Sequence, residues 1–203
     1  MLSFLVMFGI LVIVPYYLER GYGIGPARAG IELMAMPLAL GVVAPLAGRV
    51  ADRVGVGVPT VVGMALVALG LVGMGVLHPA TPGFLGLLAE IGAGLGLFMS
   101  PNNAGIMAAV PAAQSGLASG VLNMSRGIGT ALGLAATGAL FGHFGGDGPV
   151  ASTVRHAFSV TTLVLAAVAA LAGLIAWSGA GVDRGTVQAP AGSKGADGAT
   201  GDQ

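Results

Sequence analysis

The sequence predicts an all-α, polytopic membrane protein whose six transmembrane helices form one bundle. Apolar residues (Ala, Val, Ile, Leu, Met, Phe, Trp, Tyr and Cys) make up 55% of the 203 residues, and only 8% are charged. A water-soluble domain carries about 25% charged residues, which this chain cannot supply. The apolar residues also form long continuous runs without strand-like alternation. In lipid, where the backbone must satisfy its own hydrogen bonds, such runs favour helices over a β-barrel.

Six apolar stretches are long enough to cross a hydrocarbon core of about 30 Å, for which a helix needs about 20 residues. They are predicted at 1–18, 29–48, 57–77, 83–107, 117–141 and 157–178. The first stretch lacks the basic segment and cleavage site of a signal peptide. Because it is apolar from Met1 onward, we expect a chain that is cut, or begins, at the edge of its first helix. Residues 179–203, rich in Gly, Ala, Asp and Thr, are predicted to be a disordered tail.

Charged residues are concentrated between the second and third stretches. The octapeptide Gly48-Arg49-Val50-Ala51-Asp52-Arg53-Val54-Gly55 places three charges between two glycines. This pattern is typical of a tight turn at a membrane surface, where little chain joins two apolar spans. We therefore predict that the octapeptide is a connector rather than part of a helix.

The distribution of Arg and Lys between the connectors predicts the orientation in the membrane. On the side of the octapeptide and the tail lie Arg49, Arg53, Arg184 and Lys194. On the opposite side lie Arg20, Arg28 and Arg155. The positive-inside rule places the richer side, and with it the C-terminus, in the cytoplasm. We expect a multi-pass protein of the cell (plasma) membrane.

The pattern Gly-x-x-x-Asp-Arg-x-Gly of the octapeptide resembles the loop signature of the major facilitator superfamily of secondary transporters. About residues 1–178 are similar to the carboxy-terminal six spans of its fourteen-span drug:proton antiporters. The segments that carry this likeness are Tyr16-Tyr17-Leu18, Gly25-Pro26, Ala29-Gly30, Met36-Pro37, Gly92 to Gly96, Pro101, Pro111, Gly116 to Gly120, and Asn123 to Gly133. In that family each half has six helices, and substrates pass between the halves.

The resemblance implies a transporter that expels drugs or other small amphipathic compounds in exchange for protons. Its partners would be the lipid bilayer, the substrate, protons, and an amino-terminal half or a second copy of the chain. Alternating access would come from helices that rock against each other. The alternative is a non-transporting remnant or a membrane protein that assembles with another half.

The octapeptide has two interpretations. The resemblance implies a conformational latch formed by Gly48, Asp52, Arg53 and Gly55, in which Asp52 pairs with helix ends and neighbouring charges. An Asp at the start of the next helix would also complement its dipole, by about 0.3–1 kcal/mol. Alternatively, the segment is a solvated charged turn that only sets the topology.

Glu32 sits in the first turn of the second predicted span, where the helix dipole explains it. Two other charged residues lie deeper inside predicted spans, where charge is costly unless it is paired or hydrated. At about 1.5 Å per residue, Glu90 lies roughly 12 Å into the fourth span and Arg126 roughly 15 Å into the fifth, from the opposite side. Consecutive spans are commonly neighbours, so we expect a Glu90–Arg126 pair. Glu90 is a candidate for binding a cationic substrate or a proton in the cavity that the family's fourth span faces. The alternative is an ion pair that only holds two helices together.

Three asparagines also lie inside predicted spans. Asn102 and Asn103 follow Ser100-Pro101 in the fourth span, and Asn123 precedes Arg126 in the fifth. They are candidates for substrate binding, although hydrogen bonds between helices of about 0.6 kcal/mol are a commoner use. Small-residue pairs predict close helix packing at Gly92/Gly96, Gly116/Gly120, Gly129/Gly133 and Gly138/Gly142.

No sequence pattern indicates an enzyme, a cofactor or a metal site. Gly127, Gly129 and Gly133 lack the preceding strand and the acidic partner of a dinucleotide loop. The chain has no cysteine, and the spacing of its three histidines, His78, His143 and His156, matches no metal motif. No Lys/Arg run provides a nucleic-acid surface.

Overall fold

The computed structural model describes residues 1–78 and 81–182. Helix α1 (Leu2–Tyr16) continues into a π-helical turn (Tyr17–Gly21), and a 3₁₀ turn (Ala112–Gln114) precedes α6. The other helices are α2 (Pro26–Leu33), α3 (Ala35–Val54), α4 (Gly57–Leu77), α5 (Thr81–Ala108), α6 (Ser115–His143) and α7 (Ala151–Val182). No strand occurs within these two ranges, which confirms the all-α prediction.

Five segments of the described chain are long and apolar enough to cross a membrane. They are Leu2–Gly21, Pro26–Val54, Gly57–Leu77, Pro82–Ala108 and Ala151–Ser178. Helix α6 matches the fifth predicted stretch and has 29 residues, but it is not among the five. Its Asn123, Arg126 and many glycines make it less apolar. The predicted count of six is therefore not confirmed, and five spans are supported.

Three predicted boundaries differ from the structure. The second span continues to Val54 instead of ending at 48, so most of the predicted octapeptide connector is helical. The last helix begins at Ala151, before the predicted position 157. It extends to Val182, beyond the predicted start of the tail, and residues 183–203 lie outside the described part.

The helices form one bundle in which α5 packs between α3 and α4, α4 also packs on α7, and α1 packs on α6 and α7. Contacts along the helices show their directions. A β-carbon at Gly129 would meet the Met1 carbonyl, and one at Gly133 would lie 2.5 Å from the Leu5 carbonyl oxygen, so α1 and α6 run parallel. Helices α3 and α5 are also parallel, whereas α4 is antiparallel to α5 and α7.

Glycines lie where helices approach each other most closely. Two of the four predicted glycine pairs form such contacts. Gly92 and Gly96 face the α3 backbone, and Gly129 and Gly133 face the α1 backbone. The other two predicted pairs do not pack: Gly116, Gly120 and Gly138 have no atom within 4 Å of an added β-carbon, and Gly142 faces only the Asp147 carboxylate.

An aromatic cluster lies at the end of the bundle that carries His78, here named the His78 end; the other is the octapeptide end. The Tyr17 ring stacks on Phe158 of α7, with ring centroids 3.7 Å apart, and on Phe84 of α5 at 5.7 Å. Tyr22 meets the edge of Tyr17 at 5.3 Å. The cluster ties the π-helical turn to α5 and α7 and holds Tyr22 at the surface.

Candidate transport site

The octapeptide forms the last turns of α3 rather than a loop. Only Gly55, with φ at 84°, leaves the helix, and α4 begins at Gly57. The amide of Gly55 donates to the Ala51 carbonyl at 2.8 Å, which closes the last helical turn. A glycine with positive φ is a common helix terminator. Arg49 and Arg53 lie at the end of α3 where its dipole is negative, which favours cations.

Asp52 is in the last turn of α3, so the prediction that it begins the next helix is wrong. Its carboxylate lies beside the negative end of its own helix, where the dipole disfavours it. Asp52 and Arg53 are both exposed, and neither side chain forms a hydrogen bond or an ion pair with the residues that the structure describes. The latch formed by these residues stays a prediction.

The octapeptide end of α3 packs against the last turns of α5. A β-carbon at Gly48 would lie 3.7 Å from the Ser100 hydroxyl, and one at Gly105 would lie 3.4 Å from Val56. Ser100 and Gly105 flank Asn102 and Asn103, which are half-buried. The candidate latch and these two asparagines therefore lie at the same end of the bundle.

Glu90 is half-buried at the edge of the α5 face that packs on α4. One turn away, Gly86 is exposed and has no atom within 4 Å of an added β-carbon, and Gly83, two turns away, is also exposed. Residues three, four and seven apart share a helix face. The face of α5 that contacts α3 carries Gly92, whereas the face that contacts α4 carries Gly94, one turn after Glu90, so Glu90 borders the α4 contact on one side and open space near Gly86 on the other. The Glu90 carboxylate has no hydrogen bond or ion pair with any described residue.

Arg126 does not pair with Glu90, contrary to the sequence prediction. Helix α5 is flanked by α3 and α4, whereas the glycine face of α6 packs on α1, so the consecutive helices α5 and α6 touch only marginally. Arg126 instead donates from Nη1 to Oδ1 of Asn123 at 3.2 Å. Its guanidinium lies 5.6 Å from the centre of the Phe4 ring.

The Arg126 guanidinium retains unused hydrogen-bonding capacity. Its Nε atom is buried and has no partner within the described chain. Asn123 is exposed, and Asn102 and Asn103 have no side-chain hydrogen bond to the described residues. An amide side chain can both donate and accept. These groups can therefore bind a polar part of a substrate without first breaking an interaction within the bundle.

Glu32 is a candidate that the sequence reasoning passed over as a helix-dipole residue. It is 3% exposed, its Oε1 accepts from Arg28 Nε at 3.3 Å, and its Oε2 is buried without a partner in the described residues. Ala29, Glu32 and Met36 form one buried stripe at helical spacing. An acidic residue in register with an apolar stripe is a sequence signal that could have identified it.

The arrangement combines carboxyl groups at Glu32 and Glu90, a guanidinium at Arg126 and three asparagines within apolar helices. Carboxyl groups in membrane spans commonly carry protons or pair with cations. Within residues 1–78 and 81–182, no group of three or more His, Cys, Asp or Glu side chains could hold a metal ion. The chemistry available is therefore ion pairing, hydrogen bonding and proton exchange.

Sequence comparison identifies the family. The profile described as Major Facilitator Superfamily matches residues 1–198. The chain belongs to the major facilitator superfamily. Members of this superfamily are transporters, which agrees with the prediction of a membrane transporter rather than an enzyme.

Relatives in the major facilitator superfamily include proteins named for drug resistance and export. The chain is 35% identical to the uncharacterized transporter YebQ of Escherichia coli over 83% of its own length. It is 30% identical to the multidrug resistance protein Stp of Mycobacterium tuberculosis over 68%. It is 35% identical to the tetracenomycin C resistance and export protein of Streptomyces glaucescens, also over 68%. The matched region spans 36%, 26% and 26% of these relatives, respectively.

Proposed function

We propose that residues 1–178 form the carboxy-terminal six-span half of a proton-coupled transporter that expels drugs or other small amphipathic compounds. The observation that carries this proposal is the position of Glu90, a half-buried acidic residue without a hydrogen-bond or ion-pair partner among the described residues, at the edge of the α5 face that packs on α4. No described residue pairs with its carboxylate, and a carboxylate in a span is costly unless it has a function or a partner. The names of Stp and of the tetracenomycin C protein support export as the direction.

Helix α6 provides the sixth span in this proposal. Its 29 residues are more than the length that a crossing requires. Its stripe of Gly129, Gly133, Thr137 and Phe141 is buried, while its other faces are largely exposed. Arg126 is tolerated in the membrane if it faces a hydrated path between this half and a second half.

Glu90 would alternate between a proton and a cationic substrate. When charged, its carboxylate binds the cation, and when protonated it no longer does, so proton entry favours release. Asn102 and Asn103 near the octapeptide end and Asn123 on α6 would provide hydrogen bonds along the path. The buried Glu32 is a second candidate for the proton, because one of its oxygens has no partner within the described chain.

Asp52 and Arg53 would act as the latch in a conformation that brings a helix end or a charged group close to them. Both are exposed at the end of α3, where a second half could reach them. Pairing there would be transmitted to α5, because Gly48 packs beside Ser100. The alternative is that the octapeptide only sets topology. We place the protein in the plasma membrane with the C-terminus in the cytoplasm.

Reconstitution tests the proposal. The chain is placed in liposomes alone and together with an amino-terminal half of a related transporter, and uptake of a fluorescent cationic dye is measured with and without a proton gradient. We expect gradient-driven transport only when both halves are present. Transport without a gradient dependence would contradict proton coupling. No transport in either case, with both halves inserted, would favour the non-transporting alternative.

A further inference from the structure

A polar cleft opens at the His78 end of the bundle, away from Glu90 and the octapeptide. It has a volume of about 520 Å³ and is lined by Tyr22, His78, Ser152, Arg155, His156 and Ser159. In the sequence, the spacing of the histidines matches no metal motif. The fold brings His78 and His156 to one cleft, although they belong to different helix ends.

Three chain segments build the cleft, and hydrogen bonds between them hold it in shape. The Tyr22 hydroxyl donates to the His78 carbonyl at 3.1 Å, and His78 Nε2 shares a hydrogen bond of 2.7 Å with the Ser159 hydroxyl. Arg155 Nη1 donates to the Gly21 carbonyl at 3.3 Å. The Tyr17 hydroxyl also donates a hydrogen bond to the Tyr22 hydroxyl at 3.2 Å. The lining residues are therefore positioned before any ligand arrives.

The lining favours an anion. It contains one arginine, two histidines, two serines and a tyrosine, and no carboxylate. Arg155 uses Nη1 for the Gly21 carbonyl, so its other N–H groups are available. Ser152, Arg155 and His156 belong to the first turns of α7, where the helix dipole also favours negative charge. Neither Glu19, three residues before Tyr22, nor Asp147, five residues before Ser152, is part of the lining.

We propose that this cleft binds a phosphate-bearing anion, with the phosphodiester of an anionic lipid headgroup as the favoured source and a dissolved phosphate compound as the other. Arg155 would supply the charge, the Ser152 hydroxyl and a ring N–H of His156 would donate hydrogen bonds, and Tyr22, whose hydroxyl already donates to the His78 carbonyl, would form one wall of the site. Exposed apolar residues on the two helices that carry the lining support the lipid: Val76 of α4, two residues before His78, is 60% exposed, and Leu163 of α7, four residues after Ser159, is 40% exposed. Acyl chains can cover this surface while the headgroup occupies the cleft.

The site is independent of the transport proposal, since none of its residues lies among the candidate transport residues. A lipid bound there would bridge the end of α1, the end of α4 and the start of α7. It would stabilise the packing of α4 on α7 at the membrane surface, because anything that binds the folded state stabilises it.

Lipid binding to the purified chain tests the proposal. The full chain in a neutral maltoside detergent is titrated with palmitoyl-oleoyl-phosphatidylglycerol, with the phosphatidylcholine analogue, and with inorganic phosphate. Thermal unfolding is followed by circular dichroism, and bound lipid is counted by native mass spectrometry. We expect phosphatidylglycerol to raise the unfolding temperature more than phosphatidylcholine. Arg155→Gln should weaken its binding by about tenfold, as the loss of one charge-assisted hydrogen bond predicts.

A second variant is needed because Arg155 also donates a hydrogen bond to the Gly21 carbonyl. Its replacement can therefore reduce lipid binding by disturbing the fold alone. Ser152 and His156 are exposed and have no side-chain hydrogen bond to the described residues, so Ser152→Ala with His156→Ala should fold normally and weaken binding. His143→Ala, an exposed histidine at the same end but outside the cleft, is the matched control and should bind as the parent does.

The outcomes separate the two sources. Stabilisation by phosphatidylglycerol that the cleft variants reduce supports a lipid site. Stabilisation by inorganic phosphate that the same variants reduce, without a preference for the anionic lipid, supports a site for a dissolved phosphate. Anion binding that is absent, or equal in the parent, the cleft variants and His143→Ala, overturns the proposal.

Discussion

Gly63 of α4 and Gly94 of α5 face each other where the two helices cross. A β-carbon on either glycine would lie 2.5 Å from the carbonyl oxygen of the other. Lipid provides little hydrophobic drive for helices to associate, so close backbone approach through small residues contributes much of the packing. This crossing anchors α5, which carries Glu90, Asn102 and Asn103, and so the position of the candidate site depends on it.

Replacing Gly94 by Ala should destabilise the bundle. The added methyl meets the α4 backbone, which cannot move aside as a flexible side chain can, and such overpacking costs about 1–3 kcal/mol. Thermal unfolding in detergent measures the loss. Gly86→Ala on the same helix is the control, because open space surrounds Gly86 and its substitution should leave the unfolding temperature unchanged.

Replacing Gly133 by Ala should loosen the attachment of α6 to α1. An added β-carbon would lie 2.5 Å from the Leu5 carbonyl oxygen, whereas Gly138→Ala, on an open face of α6, should be neutral. Proteolysis of the α5–α6 connector in detergent is a suitable measurement, because a loosened α6 exposes it. Equal sensitivity of the two variants would show that α6 does not pack on α1 as observed.

Cysteine labelling should place Ala27 and Arg53 on opposite sides of the membrane. The chain has no cysteine, so Ala27→Cys and Arg53→Cys can be labelled singly. Both residues are exposed and lie at opposite ends of the span Pro26–Val54. An impermeant maleimide applied to intact cells should label Ala27→Cys before lysis and Arg53→Cys only afterwards. Labelling of both from one side would exclude the membrane arrangement proposed here.

Asp52→Asn should reduce transport by the reconstituted halves by about tenfold or more, as expected when a coupling of about 1–3 kcal/mol between conformations is removed. Insertion and thermal stability should be unchanged, because Asp52 is exposed and has no partner among the described residues. Glu19→Gln, an exposed carboxylate at the other end of the bundle, is the control. Normal transport by Asp52→Asn would support the alternative of a solvated end that only sets topology.

Glu90→Gln should abolish the dependence of transport on the proton gradient while leaving the unfolding temperature unchanged, because no packing contact or ion pair with the described residues requires the charge. Glu32→Gln is the comparison variant. It should alter stability, since Glu32 is buried and bonded to Arg28. Transport is measured over a range of pH values. If only Glu32→Gln removes the pH dependence, then Glu32, and not Glu90, carries the proton.

The all-helical architecture and the positions of most helices could be predicted from the sequence, because both follow from local composition. The long apolar runs determine that lipid surrounds the chain, and a span's length follows from the membrane's thickness. The glycine pairs Gly92/Gly96 and Gly129/Gly133 were also visible as packing faces. The octapeptide was misjudged as a turn, because charge at a membrane surface is compatible with a continuing helix as well as with a loop.

Only the tertiary structure decided which helices are neighbours. The expected Glu90–Arg126 pair does not form, because α6 packs mainly on α1 and only marginally on α5, the helix that precedes it in the sequence. Glu32 became a candidate, and His78 and His156 came to line one cleft, for the same reason. The sequence alone determined that the chain consists of membrane helices, since hydropathy acts residue by residue. Partnerships between helices depend on surfaces that are distant in sequence, and no local pattern specifies these.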